Sequence, residues 1–325
     1  MQIQKPRGTK DYFGDEFKKR RELENKFIDF YFKKGYQGIE TPIFEQKNLF
    51  VRSVGDNTDI VQKELFNLEK KSDEVYCLRP EFTAGVIRSL IESGIKSKPL
   101  PIKVISVGPC FRYERPQKGR KRQFNQLNAE LIGKSAPEID AEFISNAIEF
   151  LNSIGIENLR VFINTLGSSM TRKKYSGVLK KYLISNSQKL CELCNQRIKR
   201  NPLRALDCKN PLCQQTVREA PIIIENLEDE EKKYYSSVLA ALKLKWKNNP
   251  NIKFIEDPFL VRGLDYYTGV IFEFGIPGDE SRLSSVGGGG RYDDLVKELG
   301  GPNLPAIGMA LGFERIVEYL EEKEL

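Results

Sequence analysis

Apolar side chains recur at helical spacing in several segments of the chain. Between Glu16 and Lys34 they fall at positions i, i+4, i+7 and i+8, occupied by Leu23, Phe27, Phe30 and Tyr31. This spacing lines one face of a helix, and Gly35 follows it as a stop signal. The same reasoning predicts a short helix over residues 83–91. It also predicts a longer helix that starts at residues 135–138, whose sequence Ser-Ala-Pro-Glu has the pattern of a capping box.

Other segments have the pattern of strands. Residues 103–113 and 122–132 predict two strands joined by a polar loop with proline and glycine, which makes a long antiparallel hairpin. Because strands often follow one another without a helix between them, we expect an α+β fold built on an antiparallel sheet. Residues 167–250 have a weaker pattern and predict an inserted, smaller helical domain. The remaining elements predicted are strands at 39–43, 159–164, 252–256, 264–274, 283–287 and 306–311, and helices at 292–299 and 312–320.

The second strand of the hairpin carries polar residues on one face. Alternate side chains of a strand point to the same side, so Gln126, Asn128 and Glu130 lie together. The opposite face is apolar and consists of Leu127, Ala129 and Leu131. This arrangement predicts the lining of a pocket, with a solvated sheet face as the alternative.

Basic residues concentrate on the same hairpin. Arg112 shares a face of the first strand with Glu114, and its planar guanidinium suits a phosphate group. The loop at 115–122, Arg-Pro-Gln-Lys-Gly-Arg-Lys-Arg, suits contact with a nucleic-acid backbone.

Two further patterns indicate binding chemistry. Glu81 and Thr83 alternate to one side of their segment, where an acid would receive an ammonium group. Arg262 precedes a glycine and the tyrosine pair Tyr266-Tyr267. Each pattern by itself also fits a structural ion pair beside a turn.

The 325 residues include no histidine. This excludes Ser–His and Cys–His catalytic pairs and any metal site that contains histidine. The net charge of +7 permits a nucleic-acid partner without establishing one. There is no apolar secretory signal at the start and no apolar run near the roughly 18 residues that a membrane span needs. The expected compartment is therefore the cytoplasm.

Four of the six cysteines lie close together in the sequence. Cys191, Cys194, Cys208 and Cys213 form CxxC followed by CxxxxC. Structural zinc bound by four thiolates and free reduced thiols are the two alternatives. Four glycines at 287–290 follow a strand but lack the Lys-Ser/Thr of a P-loop, so we expect close backbone packing beside the pocket, or else a flexible turn.

Several of these segments together resemble the histidyl-tRNA synthetase family, which belongs to the class II synthetases. Residues 108–130 are similar to motif 2 of that family, 260–269 to its histidine-binding signature and 306–315 to motif 3. The segment around Pro42 resembles motif 1, the dimerisation element, and 201–211 resemble part of the insertion domain. The resemblance implies a class II catalytic core that activates histidine with ATP and Mg²⁺, transfers it to tRNA(His), and acts as a homodimer.

The resemblance also implies individual roles in histidine binding. Glu81 and Thr83 would hold the α-amino group, and Glu130 would reach the imidazole. The full set of implied histidine ligands is Glu81, Thr83, Gln126, Glu130, Tyr266 and Tyr267.

For ATP and tRNA, the resemblance implies a second set of residues. Arg112 would bind the α-phosphate, Arg262 would lie beside the reacting carboxylate and the α-phosphate, and Arg315 would bind the γ-phosphate. Arg115 and Gln117 would face the acceptor end of the tRNA. Arg112 and Arg262 are the catalytic residues in this hypothesis.

We expect a catalytic domain that is divided in sequence by an insertion domain. Residues 1–166 and 251–325 would form the two parts of the catalytic domain around an insertion domain at 167–250. The family's C-terminal anticodon-binding domain is expected to be absent, because the sequence ends just after motif 3. The alternative function is a non-catalytic, synthetase-like regulatory subunit of ATP phosphoribosyltransferase. The length fits that alternative, whereas the basic loop and the 201–211 segment favour the synthetase.

Overall fold

Six antiparallel strands form the middle of the sheet that carries the candidate site. The computed structural model describes residues 3–56, 58–69, 73–117, 119–276 and 285–323. Its strands are β1 (Gln37–Gly38), β2 (Phe44–Gln46), β3 (Tyr76–Leu78), β4 (Ile102–Phe111), β5 (Gln123–Ile132), β6 (Arg160–Thr165), β7 (Lys253–Glu256), β8 (Thr268–Gly275), β9 (Ser285–Arg291) and β10 (Ala306–Gly312). The large sheet has the order β1-β4-β5-β10-β9-β8-β6-β7, with parallel pairing at each edge only, and β2 pairs with β3 separately.

Helices pack on both faces of this sheet. They are α1 (Gly14–Lys33), α2 (Lys47–Val54), α3 (Thr83–Glu92), α4 (Pro137–Ser153), α5 (Ser169–Ser185), α6 (Glu192–Arg200), α7 (Pro211–Arg218), α8 (Asp229–Lys245), α9 (Leu295–Glu298) and α10 (Phe313–Lys323). None of these helices, within the described part of the chain, has the length and apolar character that crossing a membrane requires.

One face of the sheet is sealed by an apolar core. The apolar side of β5 packs there with α1, α4, α8 and α10, and Phe27, Phe150 and Leu127 are fully buried. Burial of aromatic side chains of this size supplies much of the stability of such a domain. The polar side of β5 consequently points to the opposite face, where α3 and α5–α7 pack around a second core.

The structure confirms the predicted hairpin and the α+β fold. β4 and β5 pair in antiparallel register over their whole length, from Ile102 opposite Ile132 to Phe111 opposite Gln123. The helices predicted at 16–34, 83–91 and 312–320 match α1, α3 and α10 to within a few residues.

Two local predictions were wrong. Residues 39–43 are not a strand but connect β1 to β2, because Pro42 has no N–H for a sheet ladder. The capping box at 135–138 does not form. Ala136 is the N-cap of α4, and the Ser135 hydroxyl lies 3.2 Å from the hydroxyl of Tyr234 instead.

Some boundaries also shift. The strand predicted at 264–274 begins only at Thr268, since the segment before it is a loop of the site. The helix predicted at 292–299 shortens to α9. Of the strand predicted at 283–287, residues 283 and 284 lie outside the described residues.

The segment between β6 and β7 is helical. α5, α6 and α7 pack with the four clustered cysteines in the second core, whereas α8 packs against α4 in the first core. The proposed boundaries of the insertion domain, 167 and 250, stay a prediction.

Candidate active site

A cleft of about 1010 Å³ opens where the polar side of the hairpin meets the helical segment after β6. It is lined by the start of α3, the hairpin, the loop before β8, and the start of α10. Eight of the residues predicted to bind histidine or ATP line it: Glu81, Thr83, Arg112, Gln126, Arg262, Tyr266, Tyr267 and Arg315. The structure thus brings together residues that are up to 234 positions apart in the sequence.

Glu130 lies behind Thr83 and is fully buried. Its Oε1 accepts hydrogen bonds from Thr83 Oγ1 at 2.6 Å and Asn128 Nδ2 at 3.0 Å, and its Oε2 accepts one from the hydroxyl of Tyr292. Burial raises the pKa of Glu130 to about 8, although these donors oppose the shift. The pKa of this carboxyl group therefore lies much nearer to that of an imidazole, about 6.5, than to that of an ordinary glutamate.

Glu81 closes the N-terminus of α3. One carboxylate oxygen accepts the backbone N–H of Thr83 at 2.7 Å, and the other accepts that of Ala84 at 3.0 Å. These bonds satisfy donors that a helix start leaves unpaired. Burial raises the pKa of Glu81, with the two backbone donors acting in the opposite direction. Each oxygen has a second lone pair, so the carboxylate keeps the capacity to accept an ammonium group.

Three buried tyrosines lie beside this acid pair. The ring centroid of Tyr266 is 4.7 Å from that of Tyr267 and 5.5 Å from that of Tyr292. Burial raises the pKa of Tyr266 and of Tyr292 well above the usual value, so both remain neutral phenols. Tyr266 and Tyr267 line the cleft as a flat, largely apolar wall, whereas the hydroxyl of Tyr292 donates to Glu130.

Arg262 is held by Glu273 of β8. Nη1 of Arg262 forms an ion pair with Oε1 of Glu273. The guanidinium carbon of Arg262 lies 5.9 Å from the ring centre of Tyr267. Burial opposes the charge, but the Glu273 carboxylate raises the pKa of Arg262, so the side chain stays cationic. Its Nε is buried and has no hydrogen-bond partner among the described residues. This donor is available to an anionic ligand.

Arg112 and Arg315 supply two more positive charges. Arg112 Nε donates to the carbonyl of Pro80 at 3.0 Å, and its guanidinium carbon lies 5.3 Å from the ring centre of Phe124. Arg315 donates from Nε to the carbonyl of Gly119 at 3.4 Å and from Nη1 to the carbonyl of Ser285. Burial, together with nearby Arg120, lowers the pKa of Arg315. Both arginines line the cleft and have further guanidinium N–H groups that can donate to an anionic ligand.

The hairpin loop lies against the start of α10. Gln117 and Arg120 pair through backbone bonds of 3.1 and 2.9 Å, and Arg120 pairs with Glu114 at 3.2 Å. Arg115 and Gln117 are exposed and do not line the cleft. Lys118, which the sequence adds to this basic loop, lies outside the described residues.

Glycines allow the central strands to approach the acid. A Cβ on Gly308 of β10 would lie 1.6 Å from Glu130 Oε2, and one on Gly289 of β9 would lie 2.0 Å from the carbonyl oxygen of Gly308. No side chain fits at these distances. The close packing predicted for the glycines at 287–290 is confirmed, and the flexible turn is excluded because they are part of β9.

Sequence reasoning missed several residues of the site. Tyr292 and Glu273 both contact predicted ligands, yet the sequence analysis gave them no role. Glu273 could have been recognised from the sequence, because it is the one acidic residue in a mainly apolar strand. Gly308 left none, because the need for it arises only when β10 pairs beside Glu130.

The four clustered cysteines converge. Their Sγ atoms all lie within 4.8 Å of one another, and those of Cys191 and Cys208 are 3.9 Å apart. The three other than Cys191 are buried. All six cysteines of the chain are unpaired.

Comparison with known proteins identifies the class. The family model "Histidyl-tRNA synthetase" matches residues 8–316. A histidine–tRNA ligase of Clostridioides difficile is 46% identical over 322 residues, which cover 99% of this chain and 75% of that protein. The crystal structure of apo histidyl-tRNA synthetase from S. aureus has a TM-score of 0.78 and 35% identity, and covers 100% of this chain and 75% of the other.

A third relative shares the fold alone. An ATP phosphoribosyltransferase regulatory subunit/histidyl-tRNA synthetase of Bacillus halodurans has a TM-score of 0.71 at 23% identity, with 98% of this chain and 83% of the other covered. Its identity is half that of the C. difficile ligase, so the comparisons favour the synthetase over the regulatory subunit.

The antiparallel sheet and the arginine-lined cleft define a class II aminoacyl-tRNA synthetase. The chain belongs to the histidyl-tRNA synthetase family, whose enzymes charge tRNA with histidine. It spans about three quarters of the length of the relatives that it matches.

Proposed function

We propose that this cleft forms histidyl-adenylate from histidine and ATP and then passes the histidyl group to tRNA(His). The observation that carries the proposal is the fully buried Glu130, held by Thr83 and Tyr292 behind a cleft that also contains Arg112 and Arg262. A buried acid beside partly exposed cations suits a substrate with a basic ring at one end and a carboxylate at the other.

The histidine would bind with its imidazole toward Glu130. An imidazole N–H can donate to the carboxylate, and Tyr266 and Tyr267 would pack on the ring. Glu81 would accept the α-ammonium group, with Gln126 as a further polar contact. The side chain selected in this way must be flat and able to donate a hydrogen bond, which sets histidine apart from apolar amino acids.

The ATP phosphates would bind to the arginines. Arg112 would contact the α-phosphate and Arg315 the γ-phosphate. Arg262 would lie between the substrate carboxylate and the α-phosphate, where its buried Nε–H could donate a hydrogen bond. The guanidinium group of Arg262 stays charged in this site because it forms an ion pair with Glu273.

The reaction needs no base from the protein. An oxygen of the substrate carboxylate attacks the α-phosphorus, and the bond from that phosphorus to the bridging oxygen of pyrophosphate breaks. The extra charge on the phosphorus oxygens is stabilised by Arg112 and Arg262. A terminal ribose hydroxyl of the tRNA then attacks the carbonyl carbon of the adenylate, its proton passes to a phosphate oxygen of the adenylate, and AMP leaves. Much of the acceleration of adenylate formation would come from holding the carboxylate and the α-phosphate in line for the attack.

The carboxylates of the cleft fit a magnesium ion. Mg²⁺ in such sites takes one or two protein carboxylates together with substrate phosphates. Glu114 and Glu273 both line the cleft and would offer the ion their remaining oxygen lone pairs, beside the ion pairs that they make with Arg120 and Arg262. When bound, the ion would neutralise charge on the phosphates of ATP.

We extend the proposal to the partners. The exposed Arg115 and Gln117 would contact the acceptor end of the tRNA. A homodimer would form through the segment around Pro42, which is supported by the exposed apolar side chains of Ile43 and Phe44. The cytoplasm is the proposed compartment, because ATP and tRNA are available there.

Histidine-dependent exchange of pyrophosphate into ATP tests the first step. We expect exchange with histidine and none with phenylalanine, which lacks the N–H that Glu130 would accept. The chain should also protect tRNA(His) from nuclease at low salt. A folded protein that gives no exchange with any amino acid would contradict the proposal and favour the regulatory subunit.

A further inference from the structure

The four-cysteine cluster has nearly the geometry of a tetrahedral metal site. A zinc ion bound by four thiolates at about 2.3 Å holds its sulfurs roughly 3.8 Å apart. Here Cys191 Sγ and Cys208 Sγ are already 3.9 Å apart, and all four sulfurs lie within 4.8 Å of one another. Small side-chain rotations therefore suffice to bring the set into a tetrahedron.

Two of the four sulfurs accept hydrogen bonds from backbone N–H groups. The backbone N–H of Cys191 donates to Cys213 Sγ at 3.1 Å, and that of Asn210 donates to Cys208 Sγ at 3.5 Å. Such donors stabilise negative charge on sulfur and orient metal ligands from outside the coordination sphere.

The cysteines join pieces of chain that are short by themselves. Cys191 is the N-cap of α6, Cys194 lies inside α6, Cys208 precedes α7 and Cys213 lies inside it. The two helices have nine and eight residues. Isolated helices below about 12 residues are marginal in water, so a cross-link between them would stabilise the segment considerably.

The same segment reaches the loops of the active site. Asp59 accepts from Arg197 at 3.1 Å and from Arg204 at 3.4 Å. Arg204 also donates to the carbonyl of Arg262 at 3.4 Å, and Asn201 donates to Asp265 at 2.9 Å. All three of these donors lie between the first and last cysteine of the cluster.

We propose that the four cysteines bind one Zn²⁺ ion, and that this ion fixes residues 191–213 so that Arg204 and Asn201 hold the loop of Arg262 in place for substrate binding. The metal site stands on the cysteine geometry alone, whereas its effect on substrate binding rests on the proposed function. On binding, the four thiols lose their protons to solvent and four Zn–S bonds form, with no change of oxidation state.

Metal analysis of the full chain tests the site. After purification without chelators and dialysis against metal-free buffer, we expect about one zinc per chain. Co²⁺ substitution should give the visible absorption of a tetrahedral thiolate complex. Cys191→Ala should weaken zinc binding by at least about tenfold, and Cys191→His should keep the metal, because imidazole also binds zinc. The matched control, Cys77→Ala, removes a buried cysteine outside the cluster and should keep one zinc.

Two outcomes would overturn the metal site. One is a folded, zinc-free protein in which zinc added in excess protects none of the four thiols from a thiol reagent. The other is a disulfide between Cys191 and Cys208 in protein purified under air-free conditions, which would make the cluster a redox pair. Circular dichroism of each variant separates metal loss from unfolding.

The coupling to the active site has its own readout. Removal of zinc by a chelator should raise the KM for histidine several-fold, with a smaller effect on the KM for ATP, and added zinc should restore it. An unchanged KM in a zinc-free protein would contradict the coupling and leave the metal site standing. Absence of exchange in zinc-loaded protein would instead count against the proposed function.

Discussion

The hydroxyl oxygen of Thr83 lies 2.6 Å from Oε1 of Glu130, although 47 positions separate the two residues in the sequence. The bond joins the first turn of α3 to the C-terminal part of β5. It turns one carboxylate oxygen toward the helix, while Tyr292 holds the other. The orientation of the acid is therefore fixed before any ligand binds.

Thr83→Val tests this orientation. The substitution keeps the shape of the side chain and removes the hydroxyl, which leaves the buried Glu130 short of one hydrogen-bond partner. The loss matters most when Glu130 carries a charge to bind the imidazole. A hydrogen bond to a charged group is worth about 1.5–3 kcal/mol, so we expect the KM for histidine to rise about 10- to 100-fold. Pyrophosphate exchange measures it. Thr83→Ser, which keeps the hydroxyl, should stay near the wild type; equal losses in both variants would show that the methyl group is what matters.

Glu130→Gln should change the dependence of stability on pH. The folded-state pKa of Glu130 is about 8, above the usual 4.5, because burial disfavours the charge. The folded protein then keeps a proton that the unfolded chain loses, so stability falls as pH rises from about 4.5 to 8. Glutamine cannot ionise, and the Tm of the variant relative to the wild type should rise over this window. The same variant should lose affinity for histidine.

A carboxylate with the opposite shift provides the control. Burial acts to raise the pKa of Glu149, but the ion pairs with Lys34 and Lys245 outweigh it and lower this pKa below its usual value. Its contribution is present above pH 4.5 and is lost as pH falls below that. Glu149→Gln should therefore lose stability relative to the wild type as pH rises to about 4.5, and the difference should stay constant above that pH. If both variants follow the same trend, the assignment to Glu130 is wrong.

Arg262→Lys should reduce the chemical step more than ATP binding. Lysine keeps the charge but loses the planar fork and the buried Nε donor. Loss of one donor to a developing charge typically costs 10²- to 10³-fold in rate, and we expect kcat for exchange to fall by about that factor. The dissociation constant of ATP, measured by calorimetry, should change little. Equal losses in both would remove Arg262 from its catalytic role, and Arg88→Lys, outside the cleft, should leave both unchanged.

Gly308→Ala should damage the pocket through one methyl group. The new Cβ would lie 1.6 Å from Glu130 Oε2, so either the acid or β10 must move. We expect a lower Tm and loss of histidine-dependent exchange. Gly177→Ala is the matched control, since its Cβ would have open space in the middle of α5. It should stabilise the protein by about 0.5–1 kcal/mol and leave exchange intact. A Gly308→Ala protein as active as the control would exclude the close approach.

The main strands and helices could be predicted because their periodicity reports burial. The hairpin β4–β5 is an example: its alternation gave the polar face and the apolar face correctly, since each faces a different environment. The wrong predictions concern places where tertiary contacts decide. Ser135 matches a capping box locally, but the nearby hydroxyl of Tyr234, on a helix that follows much later, engages it instead.

The same limit applies to the site. Arg262 was recognisable from its neighbours in the sequence, whereas Glu273, its ion-pair partner, becomes relevant only once β8 folds back beside it. Gly308 and Tyr292 depend on the pairing of β10 with β5 and β9. Such contacts arise from the assembled sheet, and no short stretch of sequence encodes them.

The imidazole-binding pocket proposed here is built from carboxylate, hydroxyl and phenol groups, without a single imidazole of its own. A ribosome can therefore translate all 325 residues without once drawing on histidyl-tRNA. Translation of these 325 residues therefore does not consume the product that the family makes.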